Sequence, residues 1–183
     1  IKPNQLFVAL PGVHVDGHNF IQDALKKDAA GIIISRHKRS ALDAIDTQLL
    51  EKKIVLTVED THDALLKLAA AWRRKFSYPV VGITGSVGKT STKETLRMIL
   101  QDSGKNHLVS QANQNTRLGL ALNVLRMTNE HTMAVFEMGI NNREEMKQLA
   151  HIAHPTMAII TNIGHCHMEG IGSLQDIATE KRK

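Results

Sequence analysis

The stretch VVGITGSVGKTSTKE, residues 80–94, decides how the rest of the chain is read. An apolar run rich in β-branched residues breaks into a glycine turn, and a segment of helical character carrying Lys89 and Thr90 follows. A backbone that wraps closely around phosphate oxygens needs residues without a Cβ, here Gly85 and Gly88, so that its N–H groups can converge on the anion. A helix opening near Gly88 adds the positive end of its dipole. Lys89 then reaches the terminal phosphates, and the Thr90 hydroxyl takes one position on a phosphate-bound Mg²⁺. Gly85-Ser86-Val87-Gly88-Lys89-Thr90, with Ser91 behind it, therefore predicts a phosphate loop for ATP or GTP. It is the shorter form of such a loop, since Ile83 stands where the commoner spacing has a glycine. A plain glycine turn leaving Lys89 in solvent is the competing reading. The agreement of strand, glycines, Lys-Thr pair and helix argues against it.

Working outward, short apolar runs alternate with helical patterns. Residues 6–10, 31–35 and 54–58 read as buried strands, with Phe20, Ile21, Ala24 and Leu25 on one helical face between the first two. Asp60 or Thr61 can cap a helix whose Leu65, Leu68, Ala69, Trp72 and Phe76 recur at helical spacing. That helix should stop before Tyr78-Pro79, because a residue preceding proline is pushed out of the α region. A domain boundary is expected there, giving domains 1–78 and 79–183. The second begins with the phosphate-loop strand and a helix whose Leu96, Ile99 and Leu100 face inward, closed near Gly104. Residues 118–127 read as a helix, 133–138 as a strand, 144–153 as a helix and 157–163 as a strand. Such a β-α-β-α series predicts an α/β fold: a small N-terminal α/β domain, then a P-loop-type domain on a parallel sheet.

Composition narrows the classes. Of 183 residues 42% are hydrophobic, enough for packed cores, and the first residues lack the form of a signal peptide. The single cysteine, Cys166, excludes an internal disulfide framework and fits a reducing cytoplasm. The formal charge of +5 is diffuse: residues 1–78 carry 12 basic and 9 acidic side chains, residues 79–183 carry 11 and 9. With 3% aromatics there is little on which to stack bases, so a nucleic-acid role is disfavoured. The cluster Arg73-Arg74-Lys75 reads as a solvated helix end.

In parallel sheets ligands collect outside the carboxyl ends of strands. Two strands end suggestively. Residues 133–136 run into Glu137-Met138-Gly139, which brings a carboxylate to the rim where it could hold Mg²⁺ opposite Thr90; a surface carboxylate is the alternative. Residues 158–160 run into Thr161-Asn162-Ile163-Gly164-His165-Cys166-His167. The His-Cys-His pattern suggests zinc, but no second Cys/His pair with the required spacing follows.

With these residues in view the chain resembles the Mur ligase family. The resemblance covers nearly all of the sequence. It rests on Leu6-Phe7-Val8-Ala9-Leu10-Pro11-Gly12 and Asp16-Gly17-His18-Asn19-Phe20 in the first part. In the second it rests on Thr84 to Thr90, Asn113-Gln114-Asn115 leading to Leu118-Gly119, Glu137-Met138-Gly139, Thr161 to Gly164, and His167-Met168-Glu169-Gly170. The resemblance implies an ATP-dependent ligase of peptidoglycan synthesis that joins a carboxylate to an amine through an acyl phosphate. UDP-MurNAc-tripeptide and D-Ala-D-Ala are the implied substrates, and ATP and Mg²⁺ the cofactors. It assigns Lys89 to the phosphates, Thr90 and Glu137 to the first Mg²⁺, His167 to a second, and Asn115 and Thr116 to the UDP-sugar peptide. Asn113 and Asn115 could equally be turn residues. Lys181 falls where the family carries a carbamylated lysine, although Arg182-Lys183 departs from the expected run; an exposed helical lysine is the alternative. The first domain would bind the uridine-diphosphate end. Relative to the family, an opening segment and a C-terminal domain are missing, so an inactive fragment of a monomeric cytoplasmic enzyme is expected. A related Mur ligase, a folylpolyglutamate synthase and a non-catalytic nucleotide-binding module are the alternatives. The last would need Lys89 and Thr90 but not Glu137, His167 and Lys181.

Overall fold

The computed structural model describes residues 1–111, 114–166 and 168–183. Contacts divide it into two compact units, Ile1–Leu65 and Leu66–Lys183.

The first unit is built on three parallel strands, β1 (Leu6–Val8), β2 (Gly31–Ser35) and β3 (Ile54–Val58), with β2 in the middle. Helix α1 (Ile21–Lys26) connects the first pair and α2 (Thr47–Leu50) precedes β3. Ile32 and Ile34 of β2 pack with Ala9, Ile21, Leu25 and Ile45 in one core. Residues 31–34 of this central strand are non-polar and buried because it has a neighbour on either edge and a core against it. β3 corrects the expectation of a buried strand. It is the sheet edge, and Ile54, Val55 and Leu56 are all exposed. Apolar β-branched content alone does not distinguish an edge strand from a central one. Ahead of α1, Asp16 caps the short turn Gly17–Phe20. His18 is buried there, its Nδ1 2.6 Å from Asp16 Oδ1, while its Nε2 accepts the Ser35 N–H at 3.0 Å. That pair of contacts fixes the proton on Nδ1.

Helix α3 (Thr61–Arg73) crosses the division between the units. Ala69 within it and Phe76 just beyond it belong to the second unit's core, so the contact boundary falls inside this helix. Arg73, expected in solvent, is 3% exposed. Its guanidinium donates to the carbonyls of Ala153, Phe76 and His154 at 2.8, 2.6 and 3.0 Å. A buried guanidinium needs acceptors along its whole fork, and the end of one helix and the turn after another supply them.

The second unit has a four-stranded parallel sheet in the order β5-β6-β4-β7. β4 (Val80–Thr84) runs into α4 (Lys89–Asp102), β5 (His107–Val109), α5 (Arg117–Val124) and β6 (Met133–Glu137). Then come α6 (Glu145–Ala153), β7 (Met157–Ile160), α7 (Met168–Ile171) and α8 (Leu174–Lys181). From β4 the chain goes to the sheet edge at β5, returns inward to β6 beside β4, and then crosses to the other side of β4 at β7. The carboxyl ends of β6, β4 and β7 therefore form the rim at which the topology reverses. Ile99 departs from expectation: it is exposed, while Leu96 and Leu100 pack toward the sheet with Ile83 and Val135. Among the described residues no helix is long and apolar enough to cross a membrane.

Candidate functional site

Ser86, Val87, Gly88, Lys89, Thr90, Ser91, Asn115 and Glu137 line one cleft of about 380 Å³ at this rim. The residues between β4 and α4 turn as the sequence reading requires. Gly85 and Gly88 take φ of 145° and 87°, values that side chains rarely adopt. A Cβ on Gly85 would lie 1.9 Å from Thr161 Oγ1, so the position excludes a side chain twice over. Gly88 caps α4 without a side chain, and the helix's first N–H groups open into the cleft.

Strand register explains the convergence. Ile83 pairs with Glu137 on β6, and Thr84 with Ile160 on β7, so both neighbouring strands end beside the loop. Glu137 is 2% exposed. Its Oε2 and Oε1 accept from Thr90 Oγ1 at 3.0 and 3.2 Å, and Oε1 also accepts from Asn115 Nδ2 at 2.9 Å. Its backbone N–H donates to Ser110 Oγ at 3.1 Å. Thus Glu137 sits not on the surface but within reach of Thr90.

Lys89 folds back over the loop, with Nζ donating to Gly85 O at 2.7 Å and Ser86 O at 3.3 Å. Lys181, at the end of α8, reaches the same carbonyl at 3.1 Å and is 4% exposed rather than a solvated helix residue. Burial holds the Lys181 ammonium below its ordinary pKa; Cys166 works against the shift and Lys89 adds to it. Thr116 caps α5, its Oγ1 accepting the Gly119 N–H at 3.3 Å. Its hydroxyl has a local role whatever else it meets. His167 and Asn113 lie outside the described residues. Among the described residues no group of three or more His, Cys, Asp or Glu side chains gathers in a metal-holding cluster.

Four contributors carry no role in the sequence reading. Asn162 Oδ1 accepts the N–H groups of Ser86 and Val87 at 3.1 and 2.9 Å, and Thr161 Oγ1 donates to Val87 O at 2.6 Å. Strand β7 ends at Ile160, and the residues beyond it brace the loop instead of continuing the sheet. Lys93, one turn beyond Lys89, has no side-chain exposure and lies 3.6 Å from Glu137 Oε2 and 3.4 Å from Glu94 Oε1. Its spacing of four from Lys89 is the signal that could have found it. Ser110 follows β5, a three-residue strand too short for periodicity to reveal.

The chain is similar to known proteins along nearly its whole length. Residues 83–183 match the Mur ligase middle domain, and residues 1–73 the catalytic domain of the Mur ligase family. The UDP-N-acetylmuramoyl-tripeptide--D-alanyl-D-alanine ligase of Rickettsia prowazekii is 37% identical over 181 residues, 99% of this chain and 38% of that ligase. The Escherichia coli K12 ligase of the same name is 36% identical over 181 residues, 99% of this chain and 37% of its own length. Among solved structures, MurF from Acinetobacter baumannii superimposes with a TM-score of 0.82 at 32% identity, over 98% of this chain and 37% of that one. The MurF ligase of Thermotoga maritima in complex with ADP gives 0.81 at 33%, over 99% of this chain and 40% of that one. The chain thus spans 37–40% of the length of these proteins. With the middle-domain match running from the phosphate-loop strand to the last residue, the conclusion is direct: this chain belongs to the Mur ligase family.

Proposed function

We propose that the protein is a MurF-type ligase that joins D-Ala-D-Ala to UDP-MurNAc-tripeptide at the expense of ATP, and that this chain supplies its phosphoryl-handling wall. The observation that carries the reading is the Thr90–Glu137 pair at the start of α4, facing the phosphate loop and Lys89. The names of the relatives supply the substrates.

In this reading the tripeptide carboxylate attacks the γ-phosphorus of ATP. The bond from phosphorus to the bridging oxygen breaks, ADP leaves, and an acyl phosphate remains. The D-Ala-D-Ala amine then attacks the acyl carbon, phosphate departs with the electron pair of the C–O bond, and the amine loses a proton. Two anions must be brought together in the first step, so cationic groups have to offset the charge. Lys89 leaves the carbonyls of Gly85 and Ser86 for the phosphates, and the loop N–H groups turn to phosphate oxygens. Thr90 and Glu137 fit Mg²⁺: both offer hard oxygen donors, and they approach each other closely enough to reach one ion, with phosphates and water completing its shell. Bound there, Mg²⁺ would offset charge on the transferring phosphoryl group. His167 is the proposed ligand of a second Mg²⁺.

Lys181 is the proposed carbamylated lysine. Burial favours its neutral amine, the form able to attack CO₂, and the product would be an anion beside the ammonium of Lys89. Asn115 and Thr116 would face the sugar peptide. Residues 1–78 would hold the uridine-diphosphate end and residues 79–183 the ATP. A monomer working in the cytoplasm, where the lone Cys166 stays reduced, completes the proposal.

Phosphate release by the full-length protein is the test. With UDP-MurNAc-tripeptide and ATP present, D-Ala-D-Ala should drive release where single amino acids do not. Release driven only by a single amino acid would reassign the protein to another Mur ligase, and ATP binding without release under any pairing would favour a binding module.

A further inference from the structure

We propose that Lys93 is a resident counter-ion for Glu137, and that its charge makes the cation site conditional on nucleotide. Metal then enters with the phosphates rather than ahead of them. The inference rests on the reading of Thr90 and Glu137 as metal ligands.

Lys93 lies on the same side of α4 as Lys89, one turn on, with its side chain wholly buried. Its ammonium lies between Glu137 Oε2 at 3.6 Å and Glu94 Oε1 at 3.4 Å. Glu137 meets Thr90 and Asn115 through neutral hydrogen bonds, so among the described residues Lys93 is the charged group held against this carboxylate. Glu94 is shared, because its other oxygen accepts from Arg97 Nε at 2.6 Å. Lys89 and Lys181 add further positive charge where both meet Gly85 O.

The carboxylate a cation would seek is thus already matched by an ammonium, and two more lysines stand at the loop. A divalent cation arriving alone meets a field that is not negative, at a place where low dielectric magnifies each charge. A triphosphate reverses the sign, since its several negative charges outweigh the lysines. Lys93 then keeps Glu137 fixed while Thr90 lets go of it. Positioning and exclusion come from the same ammonium.

The test is Mn²⁺ binding to the full-length protein, followed by electron paramagnetic resonance with no nucleotide present. Replacing Lys93 with a neutral residue that can still hydrogen-bond, Lys93→Gln, should tighten nucleotide-free Mn²⁺ binding by at least about tenfold, while Lys93→Arg should bind as the wild type does. A residue that only supports packing gives no such gain, because disrupting a site does not create affinity. Unchanged or weaker Mn²⁺ binding by a folded Lys93→Gln overturns the proposal.

The half-exposed Glu94→Gln substitution leaves the buried pair intact and keeps the question open to experiment if Lys93→Gln does not fold. It removes one of the carboxylates that share Lys93's charge, leaves more of that charge on Glu137, and should weaken the Mn²⁺-dependent part of ADP affinity several-fold; no change would count against the counter-ion. The underlying site is checked separately. Mn²⁺ should tighten ADP binding to the wild type, and Glu137→Gln should abolish that gain. If the wild type shows no gain, the metal-site reading fails and takes the counter-ion with it. If the gain is present and Lys93→Gln is silent, the counter-ion alone is wrong.

Discussion

Asn162 offers a direct way to ask whether the loop binds phosphate by exchange. Its Oδ1 accepts the N–H groups of Ser86 and Val87, two of the donors that a phosphate would use. A neutral acceptor contributes about 1 kcal/mol net per hydrogen bond, and an ionised one roughly twice that. Asn162→Asp keeps the shape and charges the acceptor, so it should hold the loop in its present state by about 2 kcal/mol more. Both bonds are solvent-exposed, and water reduces that to about 1–2 kcal/mol. Every 1.4 kcal/mol is about tenfold, which predicts ADP binding weakened by about 5–30-fold before any repulsion between carboxylate and phosphate. Asn162→Ala should move less, because removing the competitor also removes a brace of the loop. Calorimetric titration with ADP in the absence of Mg²⁺ measures this without metal effects. ADP affinity of Asn162→Asp within about twofold of wild type, or Asn162→Ala weaker than Asn162→Asp, would refute exchange at these amides.

Three further outcomes follow from other contacts. Lys89→Ala should reduce phosphate release by at least about a hundredfold, because it removes an ammonium held over the loop itself; an assay at saturating ATP separates this from weaker binding. Arg73→Met leaves the carbonyls of Ala153, Phe76 and His154 without their charged donor and should cost about 3 kcal/mol in urea unfolding, offset in part by removal of a buried charge. The Asp16 carboxyl is held at about 2, below its ordinary 3.8, first by the His18 backbone N–H and then by the His18 side chain. A depressed carboxyl stabilises above its unfolded pKa and loses that contribution as pH falls through the folded one. Asp16 should therefore contribute about 1 kcal/mol above pH 4, vanishing toward pH 2, and the stability curves of wild type and Asp16→Asn should converge there.

The parts of the fold that sequence reveals are those dictated by local chemistry. Gly85 and Gly88 are glycines because of their backbone angles, and the loop between β4 and α4 could be read from them alone. Strands 31–35 and 54–58 were located to the residue, yet β3 turned out to be exposed. The burial of a strand depends on its neighbours, and the sequence order of three strands does not say which is central. Arg73 misled for a similar reason. A basic residue at a helix end is ordinarily solvated, and two of its three acceptors lie about eighty positions away in the chain. Lys93 and Asn162 were silent because each acts through a partner set by register: β4 beside β6 brings Glu137 under α4, and β4 beside β7 brings Asn162 to the loop. Such pairings are properties of the sheet, not of any segment.

In the site as folded, the polar groups proposed for the nucleotide are already satisfied by groups of matching chemistry. The Ser86 and Val87 amides have the Asn162 oxygen, Lys89 has two loop carbonyls, and Thr90 has Glu137. Binding at such a site is a replacement of hydrogen bonds, and its free energy is the difference between the new partners and the old. A neutral ligand offering carbonyl-like acceptors gains almost nothing over what it displaces. A phosphate gains at each exchange, because a charged acceptor forms the stronger bond with the same donor. The internal partners thus act as a threshold that a polyanion passes and a neutral polar molecule does not. Negative charge on the ligand, more than its shape, is what opens the loop.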